Sequence, residues 1–181
     1  MSFSSQAPSS TTPPATPILS QSAAALAIDG LFSGVLGGLT VAVFFLILDT
    51  LQGRPLYTPS LLGNVVFLGK SASEVTSVHI PMVFAYTGVH MAAFVVFGMA
   101  VAYMVRQFEQ NPPLGLVLLL LFICFEAAFL AFAAALAPGV VGVLGASSVV
   151  AANVLAAVMM ALYFRFAHPG FTRHLERIWE D

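Results

Sequence analysis

Charge is what this sequence has least of. Only 8% of its 181 residues are Asp, Glu, Lys or Arg, against about 25% in an ordinary soluble domain, which places the chain outside that class. The formal net charge of −2 gives no basic surface for nucleic acid, and none of the sequence patterns of nucleic-acid-binding modules occurs, so no nucleic-acid partner is expected. Cysteine is nearly missing as well. The single Cys124 excludes an intrachain disulfide, a Cys-based zinc cluster and a CxxC redox pair, and inside an apolar run it reads as a small packing residue. There is no nucleophile–base pair, phosphate loop or metal-spaced ligand set, so the chain is not expected to be an enzyme or to hold a metal. The opening "MSFSSQAPSSTTPPATPILSQS" has neither the basic start nor the short apolar core of a secretory signal. Residues 1–24 therefore read as a disordered Ser/Thr/Pro-rich tail, with a docking role as the alternative.

What the sequence has instead is apolar length. Hydrophobic residues make up 59% of it, at a mean hydropathy of +0.96, gathered into four runs. These lie near 25–48, 80–105, 114–137 and 141–166, each long enough for the ~20 helical residues that cross a ~30 Å hydrocarbon core. The expectation is an all-α polytopic membrane protein, a four-transmembrane-helix bundle with short interfacial helices. "NPP" at 111–113 marks the start of the third run, and "PG" at 138–139 makes a tight turn into the fourth, so these two form an antiparallel hairpin. Arg106, Arg165, Arg173 and Arg177 fall on the side of the termini, and only Arg54 and Lys70 on the other. That bias predicts cytoplasmic N- and C-termini.

Between the first two runs, "YTPSLLGNVVFLG" predicts a short helix capped by Thr58 with Pro59 at its first position. Leu61, Leu62, Val65, Val66 and Leu68 give it an apolar side that would lie at the interface. The tail 168–181 repeats the pattern, with Phe171, Leu175, Ile178 and Trp179 on one face and Trp179 at headgroup level.

The few polar or small residues inside the runs are the candidate site residues. Gly30, Gly34, Gly38 and Ala42 recur every four positions, a ridge that lets another helix backbone come close, either within the bundle or in a homodimer. Asp49 is expected to pair with Arg54 at the outer end of the first run. Glu126 stands near the middle of the third run, where a charge costs roughly 2.5 kcal/mol or more and needs a partner. His90 and Asn153 lie at similar depth, with Tyr86 one turn before His90, so Glu126, His90, Asn153 and Tyr86 are expected to form one midplane polar cluster. Three purposes stay open for it. It can fix helix register, serve a proton-coupled transport path, or place His90 as a ligand to haem. His79 and His90 sit on one helix about 16 Å apart by helical rise, so haem would need the second histidine of a homodimer.

"LDTLQGRPLYTPSLLG", "YTGVHMAAFVVFG", "FEAAF", "AANVLAA" and "HPGF" together resemble a group of uncharacterised four-span bacterial membrane proteins. The likeness extends over most of residues 30–171, and GRPLYTP is its most specific part. It implies the four-span topology and a bacterial cytoplasmic (inner) membrane location, and it carries no activity. Small multidrug exporters also pair four spans with a membrane carboxylate, but theirs lies in the first helix rather than the third. The leading expectation is a small membrane subunit or accessory protein, packed against itself or a larger complex within the lipid bilayer. The alternatives are a proton-coupled transporter using Glu126 and His90, and a haem- or quinone-binding redox subunit.

Overall fold

A computed structural model of the chain describes residues 18–110, 120, 127, 131 and 139–167. Its elements are helical, with no strand among the described residues. Helix α1 spans Ile18–Leu51, α2 Tyr57–Leu68, α3 Ile80–Gln110, α4 Val140–Leu144 and α5 Ala146–Ala167, with a single 3₁₀ turn at Ala72–Glu74 between α2 and α3. Three stretches are long and apolar enough to cross a membrane: Ala23–Leu51, Ile80–Gln107 and Ala146–Ala167. Helices suit that setting because every backbone N–H and C=O is satisfied within the segment.

Local chemistry sets the ends. Past α1, Gly53 takes a left-handed φ of 71°, and the Arg54 N–H returns to the Asp49 carbonyl at 2.8 Å, a glycine-assisted stop. Gly69 ends α2 in the same way at φ 63°. Pro81 sits in the first turn of α3, where its missing N–H has no intrahelical partner to lose. Ahead of that helix, the Ser71 N–H donates to Glu74 Oε2 at 2.7 Å. That bond, followed by one to the Ser71 hydroxyl, holds the exposed Glu74 carboxyl below its ordinary range.

α1 is the central helix, packed most extensively on α3 and then on α5, while α2 lies against the start of α3. Three small cores follow one another along the bundle. Tyr57, Leu61, Ala72, Val75 and Val140 form one at the end where α2 lies. Val41, Ala152 and Ala156 form the middle one with Phe44, Phe45 and Phe94. Ala102, Val105 and Phe164 close the opposite end with Leu26 and Tyr163. The start of α1 thus meets the ends of α3 and α5, so both run antiparallel to α1.

Several expectations change. The expected run at 141–166 is not one helix: Gly145 adopts φ 77°, ψ 119°, which separates α4 from the crossing helix α5. α1 begins at Ile18, inside the expected tail, and the remainder of that tail lies outside the described residues. So do the third run at 114–137 with Glu126 and Cys124, and the tail at 168–181. α2 begins at Tyr57, so Thr58 is its second residue rather than its cap. Its buried side is Tyr57, Thr58, Ser60, Leu61, Gly63 and Asn64, whereas Val66 and Leu68 are exposed. The helix is folded onto α3 and the 3₁₀ segment, which selects a face that apolarity alone did not mark.

Candidate functional site

The seam between α1 and α3 is built on missing side chains. A Cβ placed at Gly30 would lie 2.6 Å from Met99 Cα, one at Gly34 2.6 Å from Val95 Cα, and one at Gly98 2.7 Å from Gly34 Cα. Backbone therefore rests on backbone. Gly38 meets the side chains of Met91 and Phe94, and Gly37 meets Met160 of α5. Ser33 is fully buried there, and its hydroxyl donates to the Gly30 carbonyl at 3.3 Å and the Gly98 carbonyl at 3.5 Å. The ridge of Gly30, Gly34 and Gly38 is thus filled by α3 of the same chain, while Ala42 lines a cavity further along. Gly98 and Ser33 had no regular spacing to single them out.

Toward the α2 end a half-open cleft lies between the same two helices, and α2 forms one side of it. It is a cavity of about 250 Å³. Val41, Phe45, Leu46, Leu62 and Val83 give it an apolar wall, and Tyr86, Thr87 and His90 contribute the polar groups of α3. Leu56 also lines it, in the left-handed region at φ 66°, a conformation a β-carbon disfavours by roughly 1 kcal/mol or more. His90 Nε2 lies 3.1 Å from the Gly38 carbonyl. A carbonyl only accepts, so Nε2 is the donor, and in a neutral ring this leaves Nδ1 as an acceptor. The His90 ring stacks with Tyr86 (5.8 Å between centroids) and tilts against Phe94 at 4.8 Å.

Two polar ties bracket this region. At the α2 end, Asp49 is only 4% exposed. Its Oδ2 accepts the Thr58 N–H and its Oδ1 accepts the Thr58 hydroxyl, both at 2.7 Å. A carboxylate from the end of α1 therefore caps the start of α2, where free N–H groups and the helix dipole favour negative charge. The expected Asp49–Arg54 ion pair is not what forms: Arg54 Nη2 donates to Gln52 at 3.0 Å, and its guanidinium lies 4.1 Å over the Tyr57 ring. Two short, buried bonds to Thr58 win over an exposed cation that has an aromatic face nearby. At the opposite end, Arg106 approaches Asp29 at 3.5 Å and the Tyr163 hydroxyl donates to Asp29 at 3.2 Å. Three helices meet at one carboxylate. Asp29 and Asp49 are about 30 Å apart by helical rise, close to the thickness of a hydrocarbon core.

Of the expected midplane cluster, Tyr86 and His90 are together on α3, and the hydrogen bond of His90 goes to Gly38 rather than to Asn153. Asn153 is half-buried on α5, and Glu126 lies outside the described residues. Among the described residues no three His, Cys, Asp or Glu side chains gather as a metal site. Comparison with protein-family models, with curated proteins and with solved structures finds no match to this chain.

Proposed function

We propose that the chain is a non-enzymatic four-span protein of the bacterial cytoplasmic membrane, with both termini cytoplasmic, that serves as a small accessory subunit of a larger membrane assembly. The observation that carries this reading is the outer face of α3. Gly88, Ala92 and Ala100 are small and exposed on one face, with the larger Val96 between them at the same four-residue spacing and 69% exposed. Gly88 has open space around its missing side chain among the described residues. Small residues at that spacing are how membrane helices admit a neighbour closely. The ridge of α1 cannot serve in this way, because α3 already fills it.

The ends of the bundle support the fourth span. Arg106 near the end of α3 reaches Asp29, whereas Val140 packs with Tyr57 and Leu61 at the opposite end. The described residues on either side of 111–138 therefore lie at opposite ends of the bundle, and the apolar run at 114–137 has the length of one further span. Arg106 and Arg165 lie at the end holding the start of α1, and Arg54 and Lys70 at the other, in keeping with a cytoplasmic start. The resemblance to four-span bacterial proteins points the same way.

Gentle affinity purification from native membranes, with mass spectrometry of what co-elutes, tests the role. Stoichiometric recovery of a larger complex is expected, and Gly88→Leu should abolish it while the protein still elutes folded from size-exclusion chromatography. Recovery of the chain alone, unaffected by Gly88→Leu, would overturn the subunit reading.

A further inference from the structure

We propose that the cavity between α1, α2 and α3 is a binding site for an uncharged ring-carbonyl lipid of the quinone class, with the Tyr86 hydroxyl donating to the ligand's carbonyl oxygen. The site deepens the membrane-subunit reading and rests on its premise that the bundle lies in a bilayer.

Size comes first. A void of about 150 Å³ takes a benzene ring, and drug-sized ligands fill about 300–1,000 Å³. At about 250 Å³ this cavity suits a single substituted ring and not a large fused system such as haem.

Polarity comes next. Among the described residues the wall is apolar apart from Thr58, Tyr86, Thr87 and His90. Thr58 is spent on Asp49, and His90 Nε2 is spent on Gly38. The Tyr86 hydroxyl has no hydrogen-bond partner among the described residues, although its ring is held against His90. A phenol in apolar surroundings is worth a hydrogen bond to whatever acceptor enters. Among the described residues no Lys or Arg lines the cavity, so a carboxylate or phosphate head would meet no countercharge from them and is disfavoured.

Depth then separates the remaining neutral ligands. Tyr86 and His90 lie roughly 9 and 15 Å along α3 from its first residue by helical rise. Only the tail of a phospholipid reaches that far, and a tail has no acceptor to offer Tyr86. A quinone ring can descend to this level and carries the acceptor itself. Once bound, the ring would lie beside the Tyr86–His90–Phe94 row, whose faces suit offset stacking, with His90 Nδ1 the available acceptor for the reduced, hydroxyl-bearing form.

The test is equilibrium binding of a radiolabelled short-tailed methoxy-benzoquinone to the purified full chain in phospholipid nanodiscs. Saturable binding at one site per chain is expected. Tyr86→Phe removes one oxygen and nothing else, and should weaken binding roughly fivefold, the value of one neutral hydrogen bond. Ala42→Phe should abolish binding by filling the cavity. Should that variant fail to fold, Tyr86→Phe alone decides. A long-chain alcohol of matched tail should not displace the probe. Absence of saturable binding, equal binding by Tyr86→Phe, or displacement by the alcohol would each overturn the proposal. Cysteine-accessibility mapping of the same samples reports the membrane topology independently, so a failed ligand and a failed topology give different results.

Discussion

At the scale of single residues, Asp49 contributes more than its position suggests. It is a carboxylate near the end of an apolar helix, yet it is buried and bonded twice to one threonine. Hydrogen bonds to a charged group contribute about 1.5–3 kcal/mol, so Asp49→Ala should destabilise the fold by about 3 kcal/mol. A double-mutant cycle with Thr58→Ala should show coupling of about 2 kcal/mol in thermal or denaturant unfolding in detergent. Additivity of the two changes would mean the cap is ornamental. The pairing was not legible beforehand. Asp49 and Thr58 are nine positions apart, across a turn whose left-handed Leu56 no local rule predicts, and Arg54 looked like the nearer partner. GRPLYTP, the most specific part of the resemblance, proves to be this turn.

Among elements, the seam of α1 and α3 was half visible. Gly30, Gly34 and Gly38 announce themselves by their spacing on α1. Their counterpart on α3 is one glycine, Gly98, in a stretch of Val, Phe, Met and Ala, and a lone glycine has no periodicity to read. The prediction at this scale compares two glycines of one helix. Gly98→Ala forces a methyl group against the backbone of Gly34, and overpacking of that kind costs about 1–3 kcal/mol. Gly88→Ala meets nothing among the described residues and should be neutral or stabilising by up to ~1 kcal/mol through helix propensity. Unfolding in detergent separates the two, and equal effects would contradict the seam. The break at Gly145 was hidden for a related reason: within "VVGVLGASSVV" a glycine that ends a helix looks like one that packs it.

For the whole molecule, the lengths of the apolar runs were readable because a bilayer imposes one dimension on every span, and three of those runs reappear as long apolar helices. The lateral ties were not, because their partners are remote in sequence. Asp29 is 77 positions from Arg106 and 134 from Tyr163, and no spacing rule reaches so far. Arg106→Ala takes a cation from a carboxylate that is 14% exposed, and it should lower the unfolding temperature more than the double change Arg106→Ala with Asp29→Asn, since the uncompensated charge is what costs. If the double variant is the less stable of the two, the tie is not electrostatic. The same remoteness has a consequence during synthesis. α1 leaves the ribosome before Arg106 or Tyr163 exists, and Tyr163 arrives on the last of the described helices. The contact of Tyr163 with Asp29 therefore forms only after that helix has entered beside α1. A chain stalled before Tyr163 would lack that hydroxyl's hydrogen bond at Asp29, so the tie between α1 and α5 at this end depends on synthesis having passed that residue.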